Sequence, residues 1–224
     1  MRLLPPIYLL AALSTLLCAT AHADDLYDPG ASTYVELGRY RTSFTYADGD
    51  HEAHVGRYGL AFNEPVAGDT TFGLQGGYLT LDVDGEPPGP FLDFTGRYLG
   101  LQGRYEGTWG DYFNLSGELS YTWHDVNSSG PAATHSEITW YETWAAFGPV
   151  LRYGPWRASF GGYYQGISGT ETDSSPSRRV DFNAGKSVGA YAGFSFYIDE
   201  TGSIGIYGTT GARKGIKLVF RRDF

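Results

Sequence analysis

The chain has 224 residues, a formal net charge of −9, one cysteine and one methionine. The acidic balance argues against nucleic acid, which demands a basic face. Beyond residue 23 no apolar run approaches the ~20 residues of a membrane-spanning helix, so any bilayer crossing would have to be made by strands, whose apolar residues hide at every second position.

The first residues read as a secretory signal. Arg2 supplies the positive start, residues 7–17 form an apolar run too short to span a bilayer, and Ala21-His22-Ala23 has the small-x-small form of a cleavage site. A signal peptide is therefore expected over 1–23 and a mature domain over 24–224. Cys18 follows Leu17 rather than a small residue, which argues against a lipoprotein signal. With Met1 and Cys18 removed, the mature chain has neither methionine nor cysteine, and must be held together by packing, hydrogen bonding or membrane rather than disulfides.

From there the chain shows period-two alternation in segments separated by turn chemistry, with no long helical periodicity. Ten strands are expected, over 33–46, 51–63, 70–83, 93–107, 112–125, 138–152, 156–170, 183–198, 203–210 and 215–223. Faces cannot be assigned in the first. In the third the apolar phase switches near Gly76-Gly77, which suggests a β-bulge. The fifth is the clearest: Phe113, Leu115, Gly117, Leu119, Tyr121 and Trp123 alternate with Asn114, Ser116, Glu118, Ser120, Thr122 and His124. Successive side chains point to opposite faces, so one face suits lipid and the other a polar lumen. Leu99, Leu101 and Tyr105, then Ala158, Phe160 and Tyr164, then Ala190, Ala192, Phe194 and Phe196 repeat the pattern.

Short connections follow the even strands, at 64–69, 108–111, 153–155 and 199–202, and longer polar ones follow three odd strands, at 84–92, 126–137 and 170–179. That alternation is expected of a closed, antiparallel, up-and-down transmembrane β-barrel with both termini in the periplasm. The last hairpin, from residue 203 onward, is short; without it the barrel has eight strands.

At the C-terminus Ile216, Leu218, Phe220 and Phe224 alternate, and the chain ends on an aromatic ring. This resembles the last strand of bacterial outer-membrane barrels, of the small OmpA/OmpX-like architecture. Arg222 departs from the pattern and is read as snorkelling to the interface. The resemblance implies a bacterial outer-membrane address, contact with membrane lipid and lipopolysaccharide, and delivery by the outer-membrane assembly machinery through Phe220 and Phe224. It specifies no cofactor, metal or oligomer, and a monomer is favoured. Trp109 and Trp156 at short turns, and Trp123 and Trp140 beside the longest loop, are expected to form aromatic girdles at the two interfaces.

Alternation also projects charge inward: Arg57, Arg104, Glu106, Glu118, Glu142, Arg157 and Lys217. Buried charge is costly unless paired, so an Arg–Glu network centred on Arg104, Glu118, Glu142 and Arg157 should fill the lumen. Four functional readings follow. The first is a structural or surface-binding barrel. The second is a narrow diffusion channel for small solutes or ions. The third is an outer-leaflet hydrolase. Its residues would be His124, Asp125, Ser128, His135, Ser136 and Glu137 for acyl transfer, although His124 and Ser128 are four apart rather than the two that lipid A deacylases imply. Asp48, Asp50, His51, Glu52 and His54 would serve an aspartyl-protease type. The fourth is a soluble lipocalin-like barrel with its apolar face inside. His51 and His54 are too few for a metal site.

Overall fold

Among the described residues, extended segments build eleven antiparallel strands. The computed structural model describes residues 31–83, 94–109, 113–128, 136–174 and 177–224, with the side chains of 174–178 excepted. The expected signal segment and most of the first two long loops lie outside these residues. The strands are β1 (Ser32–Tyr46), β2 (Gly49–Ala67), β3 (Thr70–Val83), β4 (Phe94–Thr108), β5 (Phe113–Ser128), β6 (Ser136–Tyr153), β7 (Trp156–Ser174), β8 (Ser177–Ala184), β9 (Val188–Tyr197), β10 (Gly202–Gly211) and β11 (Lys214–Asp223). Gly68 and Gly154, at φ 48° and 55°, turn the chain between β2 and β3 and between β6 and β7. A side chain is strained in that left-handed region.

Strands β1 to β7 pair in sequence order, and β7 then serves two partners. Its first half, from Trp156 to Tyr164, pairs with β9, and its second half, from Ser168 to Ser174, pairs with β8. From β9 the ladder continues through β10 and β11 back to β1, closing a ten-stranded ring. Strand β8 closes onto β1 by itself, through Phe44↔Ala184 and Thr45↔Asn183. The barrel therefore has ten strands in one half and eight in the other. The expected strand 183–198 corresponds to two elements, β8 and β9, and the expected loop 170–179 is mostly ladder, with Ser174 opposite Ser177.

Strand length explains the change. Each of β9, β10 and β11 has 10 residues, about what a tilted strand needs to cross a bilayer. Strands β1 to β7 have 14 to 19 residues. They run past the crossing, and β8 closes the surplus into a narrower tube. The backbone N–H of Phe224 donates to the carbonyl of Ala31 at 2.8 Å, so β1 begins and β11 ends at the rim of the short turns. The eight-stranded half projects beyond the opposite rim.

The two halves bury opposite kinds of residue. In the ten-stranded half aliphatic and aromatic side chains face out: Leu60 is 65% exposed and Leu99 60%, with Leu74, Phe147, Phe160 and Ile216 among their neighbours on the wall. In the eight-stranded half the outward positions are polar, such as Glu52, Asp82, Arg97 and Asp125, while Phe44, Leu79, Leu81, Phe94, Val126, Ile138, Trp140 and Phe182 pack inside. The phase switch at Gly76-Gly77 marks this inversion and not the expected bulge. Strand β3 pairs without interruption on both sides there, and the only register shift against β2 lies between Pro65 and Ala67. Phe72 and Leu74 point to lipid; Leu79 and Leu81, one parity later, point to the core. The same inversion hides the faces of β1, where Val35 and Leu37 are exposed but Tyr40 and Phe44 are buried.

Candidate functional site: the lumen of the barrel

An eight-stranded tube has an interior that side chains can fill, and here aromatic rings fill it. Phe44 lies 4.6 Å from Phe182 and 5.9 Å from Trp140, ring centre to ring centre. Trp140 in turn stacks on His124 at 4.4 Å, with the planes 2° apart. Gly169 makes room for this pile: a methyl group on its α-carbon would meet the Phe182 ring and the β-carbon of Trp140.

Beneath the rings lies the charged part of the lumen, where each carboxylate gathers its own cations. Glu142 accepts from Gln165 Nε2 at 3.0 Å and Arg213 Nη1 at 3.3 Å, with His124 Nε2 at 3.7 Å from its other oxygen. The Arg213 guanidinium lies over the Tyr40 ring, 3.8 Å from its centre. Glu36 sits between Lys217 Nζ at 3.1 Å and Arg57 Nε at 3.7 Å. Arg57 covers the Tyr98 ring at 4.0 Å and donates to Gln75, which donates on to Thr122. Arg104 meets Glu118 at 3.2 Å and donates to the Tyr34 hydroxyl, which donates to Gln102. Nearest the short-turn rim, Glu106 takes Arg152 at 2.6 Å, Asn114 at 3.1 Å and Arg157. Pairing of this kind is what lets charge persist in a lumen.

This differs from a network centred on Arg104, Glu118, Glu142 and Arg157. Arg104 and Glu118 do pair, but Arg157 belongs to Glu106, and Glu142 belongs to Arg213. Strand stagger is the reason: Arg104 stands opposite Glu118 in the β4–β5 register, whereas Glu142 stands opposite Thr122 and is met from across the barrel by the turn after β10. Glu36, Arg152, Arg213 and the lumen amides Asn63, Gln75, Gln102 and Gln165 were missed by sequence reasoning. Glu36 lies on the strand whose faces could not be assigned. Asn63 and Gln102 had inward parity that could have signalled them, and they share a 2.6 Å hydrogen bond.

A cavity of about 160 Å³ opens below Arg104 and Glu118. Arg157, Tyr191, Tyr207 and Lys217 line it, with Ser32, Asp69 and Arg221 toward the short-turn rim. A second space of about 50 Å³ lies among Glu36, Arg57, Glu118 and Arg213. Above it the aromatic pile closes the bore among the described residues.

Outside, the apolar belt ends in rings at both edges. Tyr121 stacks on Tyr141 at 5.7 Å, and Tyr58 faces Tyr78 at 6.4 Å, where the wall turns polar. At the short-turn rim Trp156 packs on Phe196 at 4.5 Å and Trp109 lies 6.3 Å from Phe113. Closed walls leave no open sheet edge, and a continuous exposed apolar belt between aromatic rims matches a hydrocarbon slab. The chain is an outer-membrane β-barrel. Trp123 faces outward with the Arg97 guanidinium 5.8 Å from its ring. Trp140 corrects the girdle expectation: it is 1% exposed and belongs to the inner pile, because even positions of β6 face inward. Phe220 faces out of the belt and Phe224 is exposed at the rim. Arg222 reaches Asp199 at 3.1 Å in the last short turn.

The candidate hydrolytic residues do not converge. His124 is fully buried beneath Trp140, Asp125 faces outward to Arg97 at 3.6 Å, and Ser128 Oγ accepts the backbone N–H of Ser136 at 2.9 Å; His135 lies outside the described residues. His51 pairs with Asp48 and His54 with Glu52, each at 3.2 Å. These histidines sit at opposite parity on β2, so they face opposite sides of the wall.

No protein-family model matches the chain, and no curated protein matches it. Solved structures similar to it include the translocator domain of the autotransporter NalP from Neisseria meningitidis, 11% identical, with 97% of this chain and 94% of that one covered at a TM-score of 0.48. The outer membrane protease OmpT from Escherichia coli is 8% identical, with 90% and 99% covered at 0.49. The transport unit of the autotransporter AIDA-I, also from Escherichia coli, is 12% identical, with 100% and 99% covered at 0.42. These likenesses carry no activity or partner over to this chain.

Proposed function

We propose that this barrel is a non-conducting scaffold of the outer membrane. Its rigid, solid-cored extension carries the outer loops clear of the lipid for a structural or surface-binding role. One observation carries the reading: the aromatic and aliphatic pile around Phe44, Trp140 and Phe182 occupies the bore of the eight-stranded half. A diffusion channel for solutes or ions would need that pile to move. A rigid scaffold with variable connecting loops is the common arrangement for surface recognition.

On the same reading residues 1–23 are removed on export, and the C-terminal strand ending at Phe224 is what the assembly machinery recognises. The charged lumen below the plug acts as a stiffening interior with a water-accessible vestibule on the periplasmic side. Planar-bilayer recording tests the proposal. The purified barrel is expected to give no discrete conductance steps, and steps are expected when Phe44, Trp140 and Phe182 are together replaced by alanine. Steady conductance by the unmodified barrel would overturn the proposal.

A further inference from the structure

We infer that the outer wall carries a binding site for the phosphorylated headgroup of the outer leaflet's glycolipid, formed by Arg39, Arg41, Lys186 and Lys214 at the step where the barrel passes from ten strands to eight. The inference rests on the outward orientation of the eight-stranded half.

The step is a ledge. Strands β10 and β11 end at the turn between Gly211 and Lys214, while β1 continues to Tyr46 and β8 takes over the closure. The link from β8 to β9 crosses directly above that turn: Gly185 N–H donates to Ser43 O at 2.9 Å, and Ala212 N–H donates to Val188 O at 2.9 Å. This places Lys186 on the ledge beside β1. Arg41 stands directly opposite Lys214 in the β1–β11 register, and Arg39 lies two residues nearer the membrane on the same outward face. All of these side chains are exposed.

Immediately below, the wall becomes lipid-facing. Leu37, Tyr58, Val188, Ile216 and Leu218 are all exposed there. The cations therefore sit at headgroup height, one step above the acyl chains.

Charge makes the ledge specific. In a chain with a net charge of −9, these cations lie together on one side of the barrel. Like charges directly opposite each other on neighbouring strands are destabilising, yet Arg41 faces Lys214. Among the described residues the carboxylate that meets these cations is Glu52, which contacts Arg41 at 3.2 Å and is shared with His54. The next acidic side chains outward, Asp50 and Asp181, accept from Thr45 and Thr170. A phosphate group at the ledge would supply the missing counter-charge, with arginine forks suited to phosphate oxygens, while its acyl chains lay against Leu37 and Ile216. Elsewhere on the same outward level the wall presents Thr80, Asp82, Glu137 and Thr139, which repel or ignore an anion, and Arg97, whose charge is already met by Asp125 at 3.6 Å.

The test uses the folded full barrel in detergent, titrated with bisphosphorylated lipid A, with its dephosphorylated form and with inorganic phosphate, and read by native mass spectrometry. Bisphosphorylated lipid A is expected to bind stoichiometrically. The triple variant Arg39→Ala, Arg41→Ala, Lys214→Ala should weaken that binding on the order of a hundredfold, whereas Arg97→Ala with Arg179→Ala should leave it unchanged. Heat-modifiable gel migration confirms that each variant is folded in barrel form, and loss of that migration in the unmodified chain would count against the membrane reading itself. Equal binding by the triple variant, equal binding of dephosphorylated lipid A, or competition by inorganic phosphate at comparable concentration would each overturn the headgroup site.

Discussion

Replacing Phe44 by alanine and, separately, by asparagine distinguishes a dry core from a wet lumen in the outer half. Phe44 is fully buried between Phe182 and Trp140. Truncation to alanine removes a complete aromatic side chain from a packed interior and should cost about 3–5 kcal/mol of unfolding free energy. Asparagine leaves a smaller hole but buries an amide between the Phe182 and Trp140 rings, which adds roughly 1–3 kcal/mol of desolvation. The asparagine variant should therefore be the less stable, although it fills more space. Reversible urea unfolding of the barrel in lipid vesicles, followed by tryptophan fluorescence and circular dichroism, gives both values. If asparagine proves no worse than alanine, or if both cost under about 1 kcal/mol, water reaches this level and the solid-plug reasoning fails.

Other outcomes follow from the same geometry. Glu142→Gln strands the buried Arg213 guanidinium without its counter-charge and should cost about 3–5 kcal/mol; adding Arg213→Gln should recover much of that in the same unfolding assay. Gly169→Ala should cost roughly 1–3 kcal/mol by overpacking against Trp140 and Phe182, while Gly162→Ala, whose added methyl meets only ordinary contacts, should be near neutral. In the last short turn Asp199 accepts the N–H groups of Thr201 and Gly202, which hold its carboxyl below the usual carboxylate range. A folded-state value below the unfolded one means that the turn clamp is complete above the ordinary carboxylate range and lost as pH falls through the depressed value. Once the slower intrinsic exchange in acid is allowed for, the protection factors of the Thr201 and Gly202 amides should therefore fall on acidification in the native chain, and Asp199→Asn should flatten that response.

The barrel class was legible because its lipid-facing half obeys simple alternation, most clearly in β5, where Leu115, Leu119 and Tyr121 oppose Glu118, Ser120 and Thr122. The ends of strands were less legible. Polar residues near Asn127 and Thr172 read as loop, yet they face water on the outside of an extension whose ladder continues, so hydrophilicity was mistaken for irregular structure. The apolar inversion misled more deeply. Alternation cannot say which face is inside, and a chain that leaves hydrocarbon for water exchanges the two faces without any backbone signal; hence the spurious bulge at Gly76-Gly77 and the misplaced Trp140. Charge partners were legible where residues are in direct register, as with Arg104 and Glu118. They were hidden where the bore is crossed, as with Glu142 and Arg213, because no local pattern encodes a contact spanning 71 positions.

Accessibility scanning along β3 tests the inversion most directly. A spin label placed singly at residues 72 to 82, in a chain lacking Cys18, reports collisions with oxygen in lipid or with a water-soluble nickel complex. Positions 72 and 74 should meet oxygen, positions 80 and 82 should meet nickel, and positions 79 and 81 should be shielded from both. Labels at 79 and 81 that collide freely with either reagent would contradict a barrel sealed at its outer end.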